Sequence, residues 1–333
     1  MGNIEAMYNA FYGLKEKPFN LTPDPRFIYF TEKHCEGLAN LVYGIRERKG
    51  FLVLSGEVGT GKTTLINALL DTFERTGVLS AFIFNPILTT NEFFEYLLAD
   101  FNLKCDARSK AQTLIAINSL LLERYRLGKI TVLIIDEAQN LSAEILEEVR
   151  LLTNLETCNE KLLQIVLVGQ PELSLKLNSS ELRQLKQRIS LRCTLEPLTL
   201  AETYDYIRTR MEIAGLPNQQ IFSDKAISEV HRCSGGIPRL INVICDNALL
   251  TGYACDSKEI GVDIVSEVSE DLELSAGYGH FSRKTYPVQH VIPKNGPGDG
   301  EYRTGLRSSE LENQESESFD LFVQFVDKLR ERK

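Results

Sequence analysis

The chain has 333 residues, 43% of them hydrophobic and 25% charged, with a formal net charge of −9. That is enough apolar material for one large packed domain or two smaller ones, which excludes a chain disordered throughout. The acidic balance excludes a globally basic nucleic-acid binder, though not a local basic patch.

Seven cysteines (Cys35, Cys105, Cys158, Cys193, Cys233, Cys245, Cys255) are scattered with no C-x-x-C pair, as expected of free thiols in a reducing cytoplasm. Met1 to Lys17 lacks the apolar stretch of a secretory leader, and no uncharged apolar run approaches the roughly 18 residues of a membrane span. A cytoplasmic chain without a transmembrane segment is expected.

Residues 1–30 are aromatic and proline-rich, with Tyr8, Phe11, Tyr12, Phe19, Phe27, Tyr29 and Phe30 among Pro18, Pro23 and Pro25. They read as an extended segment packed on a domain surface; the alternative is that they help form an adenine pocket. A helix is expected over 32–48. From residue 51, strands expected at 51–55, 79–84, 130–136, 162–169 and 192–195 alternate with helices near 62–75, 89–101, 109–127 and 142–156. Such alternation predicts a parallel sheet covered on both faces, with ligands at the C-terminal ends of its strands. From about Thr199 the pattern is helical only, over 199–214, 224–233, 238–253 and 261–271, a small helical lid punctuated by Gly215-Leu216-Pro217 and Gly235-Gly236-Ile237-Pro238.

After about Leu274, glycine and proline crowd a stretch without periodicity, and 275–317 reads as linker or disorder. Phe319, Phe322, Val326 and Leu329 then recur at spacings of three and four, an amphipathic helix that either folds back or docks a partner.

Between the first strand and the helix after it lies Gly56-Glu57-Val58-Gly59-Thr60-Gly61-Lys62-Thr63, a complete G-x-x-x-x-G-K-[ST] phosphate loop. Glycines let the chain curl so that backbone N–H groups face a di- or triphosphate, and the helix it opens, with Thr64 in its first turn, offers unpaired N–H groups to an anion. Lys62 is placed to reach the β- and γ-phosphates and Thr63 to ligate Mg²⁺. About seventy residues on, the apolar run Val132-Leu133-Ile134-Ile135 ends in Asp136-Glu137. Asp136 is placed for the Mg²⁺ shell, directly or through water, and Glu137 to polarise an attacking water as general base.

Leu162–Gly169 is a further buried strand, followed by Gln170, either an amide that orients water or an ordinary turn residue before Pro171. Arg188 closes a basic stretch and is either a finger completing a neighbouring subunit's site or part of a solvated face. Arg239, after Gly236-Ile237-Pro238, either reaches the γ-phosphate from the lid or is a surface residue at a helix end.

Taken together, Gly56–Thr63, Val132–Glu137, Gln170, Arg188 and Gly236–Arg239 resemble the AAA+ ATPases, whose corresponding elements are Walker A, Walker B, sensor 1, the arginine finger and sensor 2. The opening Tyr8-x-x-Phe11-Tyr12-Gly13-Leu14-x-x-x-Pro18-Phe19-x-Leu21-Thr22-Pro23-Asp24-Pro25 is similar to the general secretion pathway protein A group, as are Asp136–Leu141 and Gly169–Leu173. The resemblance covers about residues 6–270. It implies an α/β P-loop fold with a three-layer parallel-sheet core, a small all-α lid and a disordered C-terminal tail. The divisions expected are 1–50 for the N-terminal segment and helix, 51–198 for the core, 199–272 for the lid, 273–317 for a linker and 318–333 for the terminal helix.

The resemblance further implies an oligomerising, ATP-hydrolysing enzyme using Mg²⁺ that serves assembly of a secretion, pilus or exopolysaccharide-type apparatus. More distant relatives are transposition ATPases of the MuB/TniB type, which would make the chain a DNA binder through Arg183, Lys186, Arg188 and Arg192. Members of the secretion group carry a transmembrane helix and a periplasmic peptidoglycan-binding domain after the ATPase. A linker and one amphipathic helix stand here instead, so recruitment to the inner membrane by an envelope protein is the expectation.

Overall fold

In a computed structural model, residues 7–20, 24–27, 29–84, 87–104, 109–217 and 220–274 are described. The expected terminal helix at 318–333 and nearly all of the linker lie outside them.

Five strands form one all-parallel sheet: β1 (Phe51–Gly56), β2 (Leu79–Ile83), β3 (Thr131–Ile135), β4 (Gln164–Gly169) and β5 (Leu191–Leu195), in the order β2-β3-β4-β1-β5. The three inner strands are buried along their whole length and are mostly apolar, with Ser55, Thr131 and Gln164 as buried polar exceptions, because helices cover both sheet faces. The edge strands β2 and β5 are only partly buried. The register aligns Ser55 with Gly169 and Ile135 with Leu167, so β1, β3 and β4 end at one sheet edge, where their connecting loops converge.

The crossovers are helical: α3 (Lys62–Thr76), α4 (Thr90–Asp100), α5 (Lys110–Arg126), α6 (Ala143–Leu152), α7 (Pro171–Leu177) and the single turn α8 (Arg183–Lys186). Side-chain caps set several of their starts. Thr89 and Glu92 form a reciprocal capping box on α4, and Ser142 accepts from the Ile145 N–H at the start of α6. Phe93, Leu97, Ile117, Leu133, Ile135, Val149, Ile165 and Leu167 pack in the core of this region.

After β5 come α9 (Leu200–Ile213), α10 (Asp224–Ser234), α11 (Pro238–Ala254) and α12 (Val262–Asp271), which pack on one another as a helical lid. They do not form their core alone. Residues Met7–Tyr12 are a helix, α1, and Tyr8, Tyr12, Leu14, Phe19 and Phe27 are buried among Tyr206, Met211, Phe222, Ile241, Ile244 and Leu249 of the lid. The Tyr8 hydroxyl donates to Asp246 at 2.5 Å, and Arg210 lies over the Phe27 and Tyr206 rings while donating to the Pro18 carbonyl at 2.7 Å. The expected extended surface segment is thus corrected: it is partly helical and fills the lid's interior, because a small four-helix layer exposes more apolar face than its helices can cover for one another. The helix that follows, α2 (Glu32–Arg46), returns the chain to the sheet and packs on β5, α3 and β1.

Candidate active site

The phosphate loop leaves β1 at Gly56 and enters α3 at Lys62. Gly59 and Gly61 have φ of 82° and 97°, which side-chain-bearing residues rarely adopt. A Cβ at Gly59 would lie 2.7 Å from the Arg239 Cβ, and one at Gly56 would lie 2.8 Å from the Leu195 carbonyl oxygen. No side chain caps α3, so its first-turn N–H groups, those of Lys62, Thr63 and Thr64, stand where a phosphate would sit.

Lys62 is buried, and its Nζ donates to the carbonyls of Gly56 at 2.8 Å and Glu57 at 2.9 Å. Desolvation pulls its pKa down against the pull of Glu137 and Asp136 in the other direction. Val58 at the loop's tip is exposed, and Thr60 is buried with its hydroxyl donating to the Glu57 carbonyl at 2.8 Å.

Asp136 and Glu137 follow β3. The Thr63 hydroxyl donates to Asp136 Oδ2 at 3.4 Å, and the Glu137 N–H to Asp136 Oδ1 at 2.8 Å. Burial pushes the Asp136 carboxyl above its usual range, the state of a carboxylate that a cation would stabilise. Among the described residues no three His, Cys, Asp or Glu side chains gather as a metal cage. One carboxylate and one hydroxyl suit Mg²⁺, which keeps waters and takes further oxygens from substrate phosphates. The glycine cradle and this oxygen pair therefore fit a nucleotide with Mg²⁺.

Glu137 has a left-handed backbone, φ 51° and ψ 35°, uncommon for a residue with a Cβ and found at sites that hold a side chain in a set direction. Its Oε2 accepts from Gln170 Nε2 at 3.1 Å and from Gln139 Nε2 at 2.5 Å. Gln139 Oε1 in turn accepts the Gln170 N–H at 3.1 Å. Gln170 is thereby brought to the acidic pair. Gln139 was not among the site residues expected from sequence; its signal lies inside the Asp136–Leu141 run, two positions beyond Glu137.

His34 was also missed. It is buried on α2, with Nε2 2.9 Å from the Thr60 carbonyl and Nδ1 2.7 Å from the Thr31 hydroxyl, so α2 braces the phosphate loop from behind. Arg239 stands in the first turn of α11, its N–H donating to the Gly59 carbonyl at 3.4 Å, which sets the lid against the loop. Gly236, at φ 76°, accepts from the Leu198 N–H at 2.8 Å and secures this seam.

Arg188 is not part of this cluster. It precedes β5, and the N–H of Ser190, just ahead of that strand, donates to the Phe51 carbonyl at the far end of β1 from the loop. At about 3.3 Å per residue, the length of β1 is a gap no side chain spans. Arg183 and Lys186 are exposed on α8, and Arg192 is exposed on β5.

Residues 45–177 match the family described as AAA domain. Over 271 residues the chain is 46% identical to General secretion pathway protein A of Aeromonas hydrophila, a match covering 81% of this chain and 48% of that protein, so the chain spans about half its relative's length. The fold is similar to the Aeropyrum pernix ORC2 protein in its ADPNP-ADP complexes, with a TM-score of 0.55 and 17% identity over 77% of this chain and 71% of that one. It is similar also to Drosophila ORC bound to DNA, with a TM-score of 0.58 and 17% identity over 82% and 67% of the respective chains. At such identities the two structures speak to fold alone. The phosphate loop at the end of a central parallel strand, the acidic pair beside it and the extended match in sequence make the chain an AAA+ P-loop protein related to general secretion pathway protein A.

Proposed function

We propose that the chain binds ATP with Mg²⁺ and hydrolyses it. The observation that carries this reading is the arrangement of Glu137, one oxygen held by the Gln139 and Gln170 amides and the carboxylate near enough to the phosphate loop to act on the charge of Lys62. A carboxylate so fixed is suited to take a proton from water. Lys62, Arg239 and the N–H groups from Gly56 to Thr64 would hold the phosphates, and Thr63 and Asp136 the cation. A bound Mg²⁺ would supply neutralisation of the charge on the phosphate oxygens. Gln170 would orient the water, and Arg188 would act on the nucleotide of a second copy of the chain.

The match to general secretion pathway protein A supports a role in driving or regulating assembly of an envelope apparatus of the secretion, pilus or exopolysaccharide kind. Among the described residues no helix is long and apolar enough to cross a membrane. The proposed placing is cytoplasmic, at the inner membrane only through a partner, with residues 318–333 as the docking helix. Deletion of that segment would then abolish partner capture and spare basal ATP turnover.

Steady-state ATP hydrolysis and nucleotide binding test the reaction together. Glu137→Gln is expected to keep ATP binding and to lose about 10²–10⁴-fold in kcat, the share of a positioned general base. Lys62→Ala is expected to lose nucleotide binding itself. Undiminished turnover in Glu137→Gln would remove the carboxylate from the mechanism.

A further inference from the structure

Arg188 is half-buried, yet among the described residues no carboxylate pairs with it. Its Nη1 donates to the hydroxyl of Thr153 at 3.0 Å. Glu156, the nearby acid, is claimed by Lys161, whose hydrogen bond chiefly holds that carboxyl below its usual range. A guanidinium has five N–H donors in a rigid fork, so one bond to a hydroxyl tethers it at Nη1 and leaves most donors free. A structural arginine is ordinarily consumed by its partners; this one is held and left open.

Thr153 is built to hold it. It is 2% exposed and caps the C-terminus of α6, its N–H shared between the Val149 and Arg150 carbonyls. Its hydroxyl donates to the Arg150 carbonyl at 2.6 Å, which fixes the hydroxyl hydrogen and turns a lone pair outward. Its own carbonyl accepts from Lys161 Nζ at 3.0 Å. A cation at this place is favoured by the partial negative charge at the end of α6.

At its other end, α6 leaves the Glu137 loop. Lys176 Nζ donates to the Gln139 carbonyl at 3.0 Å and also to that of Leu141, clamping the segment between Glu137 and the Ser142 cap. A ten-residue helix is a strut of about 15 Å. One end of α6 thus joins the clamped segment that follows the chain's own acidic pair, and the other end is the seat of Arg188.

We propose that Thr153 is a positioning residue for Arg188, orienting its guanidinium toward the phosphates bound by a second copy of the chain. The proposal rests on the reading of Arg188 as a group that works in trans. It makes Thr153 matter in the subunit that lends the arginine and not in the subunit that holds the nucleotide, an asymmetry that a merely structural residue cannot produce.

Mixed-subunit ATPase assays read that asymmetry. Lys62→Ala subunits lend an arginine but hold no nucleotide, and Arg188→Ala subunits do the reverse, so their mixture is expected to regain turnover that neither has alone. Adding Thr153→Val to the Lys62→Ala subunit is expected to cut the regained kcat on the order of tenfold, against the 10³–10⁵ that such an arginine can supply in full. Thr153→Ser at that place restores it, because the hydroxyl returns. Adding Thr153→Val to the Arg188→Ala subunit instead leaves the regained turnover as it was, which also shows that the variant folds. Equal losses in the two placements, or none in either, overturn the role of Thr153. No regained turnover in the parent mixture overturns the trans reading of Arg188 and this inference with it.

Discussion

The sheet region and the lid bury their apolar side chains in different ways. On one side of the sheet, the core draws on residues 51–185, one contiguous length of chain in which strands alternate with the helices that cover them, while α2, just ahead of β1, packs on β5, β1 and α3. In the lid, four helices from residues 200–271 enclose side chains from residues 8–27, and the Tyr8–Asp246 bond joins positions 238 apart. The sheet region builds its site from strand ends, where backbone direction alone aims Gly56, Asp136 and Gln170 at one place. The lid contributes Arg239 to that place only while its helices are held in register, and the N-terminal segment supplies part of what holds them. Where the site is made of strand ends, a local pattern suffices to find it; where it depends on a packed seam, the determinants lie far away in sequence.

Phe19 breaks or sustains this contrast with the largest effect. It is 1% exposed and meets Phe222 edge-on with ring centres 6.0 Å apart. Phe19→Ala is expected to cost about 3–5 kcal/mol in urea unfolding, the range for an aromatic side chain deleted from a core. An aromatic residue merely laid on a surface would cost under about 0.5 kcal/mol, and that result would return the segment to the exterior.

The same contrast explains what the sequence makes legible. The alternation from Phe51 to Leu195 and the phosphate loop are local patterns, so strands, covering helices and the places of Lys62, Asp136 and Glu137 follow from them. The helix at Met7–Tyr12 did not follow, because its six residues are too few to show a period and its burial depends on helices two hundred positions later. Gln139 and His34 each tie a near neighbour in sequence to a distant partner, Glu137 to Gln170 and Thr31 to Thr60. Glutamine two places after a glutamate, or histidine three places after a helix-capping threonine, has no pattern of its own that names its partner.

Gln139 tests the sheet region's side with an intermediate effect. Leucine has nearly the volume of glutamine, but it would remove one donor from Glu137 and leave the buried side of the Gln170 N–H unpaired. Gln139→Leu is expected to lower kcat on the order of tenfold while the Kd for ATP stays within about twofold, since the amide touches the proposed base and not the phosphate loop. ATPase assays beside nucleotide titrations separate the two quantities. A loss confined to ATP binding would show that the segment serves the loop, not the base.

The smallest expected effect is at His34, where the chain passes from the lid's interior to the phosphate loop. A carbonyl only accepts, so Nε2 must carry the hydrogen donated to Thr60; in a neutral ring Nδ1 then accepts from the Thr31 hydroxyl. Burial holds the ring's pKa below its ordinary 6.5. An unfolded chain would take up that proton first as pH falls, so in the window below 6.5 the unfolded state binds more protons than the folded one. Stability from the neutral ring is therefore fully present above the window and is lost as pH drops through it. His231 is shifted downward by burial too and adds to the same slope. The useful quantity is accordingly the difference between two chains: His34→Asn should melt lower than wild type at pH 7.5 yet lose less between pH 7.5 and 5.5, by at most about 1 kcal/mol. Parallel stability–pH curves for the two chains would mean that His34 is not held neutral behind the loop, and that α2 braces it through packing alone.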